Sequence, residues 1–230
     1  MRARTVKGLL VRALLFTALI AAIGLALLLY ARSWAPSREK FPMQGVVLGQ
    51  EQGEVEWAVL PHRNVDFAYL YATSGANLRD RNFTRNWAAA RSVGIRYGAI
   101  HHYALCRSPR DQATLFIATV PRDNAALPPV VQLDLKDGCN SRPDRKAALA
   151  DISRFIEMIE SHSGKPALIR VSKDFDALYN VGEGINRTLW LNGNVFTPDY
   201  AGRPWVMWTA SDFRRLDGVE NAVEWSVVRP

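Results

Sequence analysis

Short apolar runs alternate with amphipathic helical patterns along most of the chain, and this alternation constrains the fold most strongly. Candidate strands lie at residues 46–48, 67–72, 97–103, 130–135, 167–171, 188–191, 205–208 and 223–228. Between them, the strongest helical stripe consists of Leu149, Ile152, Phe155, Ile156 and Ile159. Strands that alternate with helices in this way indicate a parallel sheet.

Beyond residue 188 the candidate strands lie closer together, which leaves little room for crossover helices. Eight strands with five helical crossovers predict an α/β fold, an irregular TIM-like barrel of the (β/α)5(β)3 type. In such a barrel the functional side chains lie at the C-terminal ends of the strands.

An uncharged segment at residues 13–30, rich in Leu, Ala and Ile, is near the length of a membrane-spanning helix. Basic residues before it predict a cytoplasmic N-terminus and an exported C-terminal part. A cleaved signal peptide is the alternative, but Ser33-Trp34-Ala35 followed by Pro36 makes a poor cleavage site. We predict a basic cytoplasmic segment at 1–12, a transmembrane signal anchor at 13–30, a linker at 31–44 and a periplasmic or extracellular barrel at 45–230.

The formal net charge of +7 comes almost entirely from this N-terminal part. Residues 1–40 contain seven basic residues and one acidic residue, whereas residues 41–230 contain 22 basic and 21 acidic residues. The region predicted to fold is therefore nearly neutral, and we predict no nucleic-acid partner.

The chain has two cysteines, Cys106 and Cys139, which follow neighbouring predicted strands at the same rim of the barrel. An exported domain permits a disulfide, so we predict that the two are bonded. Two buried free thiols are the alternative.

The order of several motifs over residues 45–230 resembles that of glycoside hydrolase family 25, the lysozymes that cleave peptidoglycan at muramic acid. The apolar run 67–72, which closes in Thr73-Ser74-Gly75, is similar to the family's second strand with its Ala-Thr-x-Gly ending. Residues 98–103, Gly-Ala-Ile-His-His-Tyr, are similar to its Gly-Ala-Tyr-His-Phe, and residues 127–136 to its Leu-Pro-Pro-x-Leu-Asp-x-Glu. The resemblance also implies the (β/α)5(β)3 barrel.

Most of the acidic cluster that this resemblance implies is replaced. Val47 stands where the first strand of the family has an Asp, and Lys136 is read as the position of the family's presumed general acid, a Glu. Asp134 matches the Asp of the same Asp-x-Glu pattern and is the one member of the cluster that stands unchanged, and Glu224 resembles the last acid of the family pattern. Because Asp134 and Lys136 lie two residues apart on a predicted strand, we expect them to form an ion pair.

The apolar segment predicts a membrane anchor, and the resemblance implies that the domain binds or acts on peptidoglycan or another glycan, with hydrolysis lost or impaired. The candidate catalytic residues are Asp134 and Glu224. The candidate substrate-binding residues are Tyr71, His101, Tyr103, Lys136, Trp190 and Trp208.

Several alternatives stay open at this point. The aromatic rings can be core residues, His101 can be structural, and Asp134 can belong to a structural salt bridge. The protein can also be an active muramidase that pairs Asp134 with Glu224 or Glu51, or a scaffold for an envelope protein. We predict no cofactor and no metal site, because no ligand-spaced set of residues stands out.

Overall fold

The computed structural model describes residues 2–136, 138–139 and 141–230. The chain divides into two compact units, Met1–Trp34 and Ala35–Pro230. The first unit is a single helix, α1 (Arg2–Ser33). Within α1, the 22 residues Arg12–Ser33 have a mean hydropathy of 2.5 and are long and apolar enough to cross a membrane.

The second unit contains nine strands and five helices among the residues that the structure describes. The strands are β1 (Met43–Leu48), β2 (Phe67–Ser74), β3 (Leu78–Arg79), β4 (Arg96–His102), β5 (Val130–Leu133), β6 (Leu168–Val171), β7 (Thr188–Asn192), β8 (Met207–Arg214) and β9 (Val223–Val228). The helices are α2 (Phe83–Ser92), α3 (Pro109–Thr119), α4 (Arg145–Ser163), α5 (Lys173–Tyr179) and α6 (Val181–Gly184). Two 3-10 turns, Gln50–Gln52 and Leu60–Arg63, lie between β1 and β2.

The strands form a closed barrel in the order β1-β9-β8-β7-β6-β5-β4-β2, because β1 also pairs with β2, while the short β3 pairs only with β2. Neighbouring barrel strands from β1 to β8 pair parallel, whereas β9 is antiparallel to both of its neighbours and the short β3 is antiparallel to β2. The first five strands of the barrel are followed by helical crossovers, of which the first contains only 3-10 turns, and the last three follow without helices. The predicted (β/α)5(β)3 barrel is confirmed.

Helix α4 shows how local sequence sets the elements. Its N-terminal cap is Asp144, whose carboxylate accepts a hydrogen bond from the Ala147 N–H, and it ends at Gly164 in the left-handed conformation. The predicted apolar stripe faces the barrel and is buried, except for Leu149, which is half-buried. Burial of this stripe holds α4 against the sheet.

The segment predicted to be a linker, 31–44, overlaps both units. Residues 31–33 belong to α1, and residues 43 and 44 belong to β1. Between them, the Phe41 ring lies 5.7 Å from the Trp208 ring, and the Gln44 side chain donates to the Pro36 carbonyl at 2.9 Å. Part of the predicted linker is therefore packed on the barrel wall, because apolar and amide groups in it find partners there.

The barrel interior is layered along the strand direction. An apolar cluster fills one layer and contains Val47, Phe67, Tyr69, Ile100, Val130, Leu168, Trp190 and Met207. Two residues further along three of these strands lie Tyr71, Gln132 and Arg170, whose side chains leave the same face. With Glu224 from β9 they form what we call the polar layer, towards the C-terminal ends of the strands.

Candidate functional site

A cleft of about 460 Å³ opens at the C-terminal ends of the parallel strands, above the polar layer. Its lining includes four acidic residues and two basic residues: Glu51, Asp80, Asp134, Glu224, Arg79 and Lys136. A larger cleft of about 600 Å³ lies between α2 and the segment after α3. We place the candidate site in the first cleft, because strand ends deliver several convergent polar groups to it and none to the second.

Arg170 occupies the centre of the polar layer and is only 3% exposed. Its guanidinium forms an ion pair with the Glu224 carboxylate. It also donates to the Tyr71 hydroxyl at 3.2 Å and to Gln132 Oε1 at 3.1 Å, while its Nε donates to Asn192 Oδ1 at 3.0 Å. The buried cation is thus surrounded by acceptors on four different strands.

The groups of the polar layer compensate the buried charge of Arg170. Burial by itself would lower the pKa of Arg170, but Glu224 and Tyr71 raise it above its usual value. Burial raises the pKa of the Tyr71 hydroxyl, which therefore stays neutral. The sequence analysis did not identify Arg170 or Gln132 as site residues. A charged residue inside the apolar run 167–171 could have indicated a buried polar site there.

Asp134 follows β5 directly and is 7% exposed. Its Oδ1 accepts from His102 Nε2 at 3.0 Å and from the Lys136 backbone N–H at 2.9 Å, and its Oδ2 accepts from Gln132 Nε2 at 2.9 Å. Burial raises the pKa of Asp134, but the hydrogen bonds and charge of these neighbours, His102 above all, outweigh it and hold the pKa well below its usual range. Asp134 is therefore an ionised acceptor.

The expected ion pair between Asp134 and Lys136 is wrong. The Lys136 side chain is exposed, and among the described residues the side-chain partners of Asp134 are His102 and Gln132. The reason is that β5 ends at Leu133, so the two-residue alternation that would place both side chains on one face does not continue to residue 136.

The geometry of β5 also changes which residue corresponds to the family's general acid. From Val130 to Leu133 the strand pairs with β4 and β6 without a register shift, so no extra residues are inserted there. Counted without a gap from Leu127, the pattern Leu-Pro-Pro-x-Leu-Asp-x-Glu places its Asp at Gln132 and its Glu at Asp134. This ungapped count moves the Glu position from Lys136 to Asp134 and the Asp position from Asp134 to Gln132.

His101 is 0% exposed and is not among the residues that line the cleft, so its position fits the structural alternative better than the predicted role in substrate binding. Since Ile100 and His102 face the barrel interior, His101 between them faces the helices. Its Nδ1 accepts from the Thr73 hydroxyl at 2.7 Å, and its Nε2 donates to Gln112 Oε1 at 3.2 Å. Burial lowers the pKa of His101 to about 3 and keeps it neutral.

Three of the aromatic residues predicted to stack on sugars have buried rings, which fits the alternative that they are core residues. Trp190 belongs to the apolar cluster, and its indole N–H donates to Thr209 Oγ1 at 2.8 Å. Tyr103 is 2% exposed and its ring lies 5.4 Å from that of Phe155. Trp208 is 2% exposed against Phe41. Of the predicted aromatic residues, Tyr71 lines the cleft.

A disulfide joins Cys106 and Cys139, 33 residues apart. It links the loop that follows β4 to the loop that follows β5, the two strands whose ends carry His102 and Asp134. Within the part of the chain that the structure describes, no group of three or more His, Cys, Asp or Glu side chains is placed to hold a metal ion.

Comparison with known proteins gives a consistent picture. A sequence model of glycosyl hydrolases family 25 matches residues 48–219. YegX of Escherichia coli strain K12 is 27% identical over 194 residues, which cover 81% of this chain and 70% of that protein. Lysozyme M1 of Streptomyces globisporus is 33% identical over 97 residues, 40% of this chain and 33% of that protein. The structure of a family 25 glycosyl hydrolase from Bacillus anthracis superimposes with a TM-score of 0.78 at 27% identity, covering 86% of this chain and 92% of that one. The chain belongs to glycosyl hydrolase family 25.

Proposed function

We propose that the barrel binds the glycan strands of peptidoglycan in the cleft above the polar layer, and that its ability to hydrolyse them is lost or strongly impaired. Membership of family 25 and the similarity to Lysozyme M1 support the substrate class. One observation carries the loss of hydrolysis: among the described residues, the two carboxylates that enter the cleft from the barrel are both already engaged, Asp134 by a hydrogen bond from His102 and Glu224 by the buried Arg170.

Hydrolysis of a glycosidic bond needs one carboxyl group that donates a proton and a second carboxylate that stabilises or attacks the sugar cation or activates water. Asp134 has no proton to donate, because its neighbours lower its pKa far below its usual value. Glu224 is neutralised by Arg170. Val47 and Gln132 replace two further acids of the family pattern with uncharged groups.

Arg170 opposes the reaction in a second way. Catalysis depends on placing charge that complements the transition state, and the transition state for glycosides resembles a positively charged oxocarbenium ion. The buried Arg170 guanidinium beneath the cleft pairs with Glu224, so this side of the cleft has no net negative charge to stabilise such a cation.

The capacity to bind is supported by features that do not depend on the acids. The cleft volume of about 460 Å³ is within the range of pockets that hold small ligands. Exposed Lys136 and Arg79, with the polar loop Gln50–Gln52, line it and offer hydrogen bonds to sugar hydroxyl and amide groups.

We further propose that residues 13–30 anchor the protein in a membrane, with residues 1–12 cytoplasmic and the barrel, 45–230, exported. The apolar helix α1 supports the anchor, and the basic residues before it support the orientation. The disulfide between Cys106 and Cys139 is consistent with an oxidising compartment.

The test uses full-length protein in detergent micelles with purified peptidoglycan sacculi. We expect the protein to sediment with the sacculi and to release no soluble glycan above the blank. Robust release by the wild-type protein would contradict the proposal, and failure to sediment at low salt would favour a scaffold for an envelope protein.

Two gain-of-function variants test which positions of this chain correspond to the acids of the family pattern. The triple variant Gln132→Asp/Asp134→Glu/Val47→Asp restores the acids of the family pattern at the positions given by the ungapped count from Leu127. We expect it to release some glycan. Lys136→Glu with Val47→Asp is the matched control, which restores the pattern in the other register and should release none. Release by the control alone would refute the register assignment.

An active muramidase is the second candidate, since Asp134 and Glu224 line the same cleft and are connected through Gln132 and Tyr71. It predicts glycan release by the wild-type protein that disappears in Asp134→Asn and in Glu224→Gln.

A further inference from the structure

Three polar side chains at the ends of successive strands meet in the cleft in an arrangement suited to a different reaction. Ser74 is the last residue of β2, His102 is the last residue of β4, and Asp134 follows β5. All three line the cleft. Two of them, His102 and Asp134, replace the aromatic residue and the Glu of the family patterns quoted above.

His102 and Asp134 form an ordered pair. Their side chains are 23% and 11% exposed, and Nε2 lies 3.0 Å from Oδ1. The carboxylate is also fixed by Gln132 and by the Lys136 N–H. Since an ionised carboxylate only accepts hydrogen bonds, His102 Nε2 carries the proton in the neutral ring, and Nδ1 is left as the basic nitrogen.

Ser74 is the register partner of His102 across the parallel β2–β4 ladder, so the two side chains leave the same face side by side. Thr73 and His101, the preceding pair of that ladder, show that a hydroxyl and an imidazole at this spacing can form a hydrogen bond on the opposite face. There the threonine hydroxyl lies 2.7 Å from Nδ1 of the histidine. On that face the ladder brings a hydroxyl of β2 into a hydrogen bond with a histidine Nδ1 of β4, and the same register places Ser74 beside His102 on the cleft face.

The atoms that would interact are both available. In the described part of the chain, neither the Ser74 hydroxyl nor His102 Nδ1 has a hydrogen-bond partner, although Ser74 is half-buried at the cleft wall. A serine hydroxyl beside a basic imidazole nitrogen that a carboxylate orients is the arrangement of a nucleophile, its general base and a positioning residue.

We propose that Ser74, His102 and Asp134 hydrolyse an ester-linked acyl group on the glycan bound in the cleft. The inference rests on the proposed function for the identity of the bound sugar, and it narrows the substrate class to O-acylated sugars. Ser74 and His102 are the catalytic residues, and Asp134 acts through His102.

The reaction balances with water as the co-reactant. Ser74 Oγ bonds to the acyl carbon while His102 Nδ1 takes the hydroxyl proton, and the bond from that carbon to the sugar oxygen then breaks as His102 protonates the leaving oxygen. Water, deprotonated by His102, attacks the acyl-serine, which releases the carboxylic acid and regenerates Ser74. Lys136 and Arg79 line the same cleft and supply positive charge opposite the developing oxyanion.

The same feature that opposes glycosidase chemistry favours this reaction. An Asp134 that is permanently ionised cannot donate a proton to a glycosidic oxygen. It can, however, hold the His102 ring in one tautomer and stabilise the imidazolium that forms during acyl transfer.

The experiment uses full-length protein in detergent micelles with the disulfide intact. Hydrolysis of p-nitrophenyl acetate is measured, and covalent labelling by a fluorophosphonate is mapped by mass spectrometry. We expect one label per chain, on Ser74, and a fall in kcat/KM of at least about 100-fold in Ser74→Ala and in His102→Gln. Ser92→Ala, an exposed serine at the end of α2, is the matched control and should match the wild type.

Asp134→Asn tests whether Asp134 orients His102 for the reaction, separately from any effect on folding. We expect a lower kcat together with a changed pH dependence, whereas a merely structural role would alter the amount of folded protein without moving the pH profile. Absence of labelling and hydrolysis in the wild-type protein, a label on another residue, or wild-type rates in Ser74→Ala would each overturn the proposal.

A parallel measurement separates this inference from the proposed function. Sacculi that carry O-acetyl groups and sacculi de-esterified with base are compared for sedimentation and for release of acetate. Sedimentation without Ser74-dependent acetate release refutes the esterase and leaves glycan binding intact. Aryl-ester hydrolysis that depends on Ser74, without sedimentation, refutes glycan binding and leaves the ester chemistry intact.

Discussion

Replacing Glu224 with glutamine tests the polar layer most directly, because it removes the charge that faces Arg170 and keeps the size of the side chain. The Arg170 side chain is 4% exposed and the Glu224 side chain 20%. Removing one partner of a buried ion pair costs about 3–5 kcal/mol, since the remaining charge stays buried without compensation. Because Glu224 is partly exposed and glutamine still accepts a hydrogen bond, we expect about 2–3 kcal/mol.

The free energy of unfolding is measured by urea titration of the full-length protein in detergent, followed by tryptophan fluorescence. For a domain of this size, the expected loss corresponds to a fall in Tm of about 4–12 °C. Glu51→Gln is the matched control, because Glu51 is an exposed acid in the same cleft, and its effect should stay within about 0.5 kcal/mol.

An effect of Glu224→Gln as small as that of the control would refute the interpretation of Arg170 and Glu224 as an energetically coupled pair. A double-mutant cycle with Arg170→Met checks the coupling independently. We expect the double variant to be more stable than the sum of the single effects predicts by at least about 1 kcal/mol.

Three further predictions concern the stability of the barrel. Because the pKa of His101 is lowered from 6.5 to about 3, the unfolded chain binds the extra proton. The free energy of unfolding should therefore fall by up to about 1.4 kcal/mol per pH unit as the pH drops from 6.5 towards 3, and His101→Gln should flatten this slope in urea titrations. Reducing the disulfide between Cys106 and Cys139 should cost about 2–4 kcal/mol, and a Cys106→Ser/Cys139→Ser variant should no longer respond to reductant. Gly45→Ala would push its Cβ into the Phe67 carbonyl and should cost about 1–3 kcal/mol in the same assay, whereas a neutral effect would contradict the close strand approach.

The barrel could be predicted from the sequence because hydrophobic periodicity reports burial locally, strand by strand. The boundaries were less accurate where burial is incomplete. The predicted strand at 205–208 is observed at Met207–Arg214, since the end of β8 carries exposed and half-buried polar residues that the apolar run does not include. The predicted strand at 130–135 ends at Leu133, where the chain turns to place Asp134 against His102.

The candidate site was less predictable, because it depends on which face of each strand a residue occupies. The sequence named Asp134, Glu224, Tyr71 and Lys136, all of which line the cleft. It also named His101. Side chains along β4 alternate between the barrel interior and the surrounding helices, so an error of one residue places a side chain on the opposite face. Arg170 was missed because its counter-ion lies 54 residues away in sequence.

The departures from the family pattern compensate one another physically. Val47 is the register partner of Glu224 across β1 and β9, so the strand that lost an acid lies beside the strand that keeps one. Glu224 in turn neutralises Arg170, and the uncharged Gln132 accepts from Arg170 and donates to Asp134.

Each of these groups satisfies a neighbour that would otherwise be buried without a partner. A single reversion therefore disturbs the polar layer before it creates a catalytic acid: an aspartate at position 132 would add a second carboxylate beside the Arg170 guanidinium and remove the amide that holds Asp134. If hydrolysis is lost as we propose, restoring it requires changing these residues together, because each one is held by a neighbour in the same network.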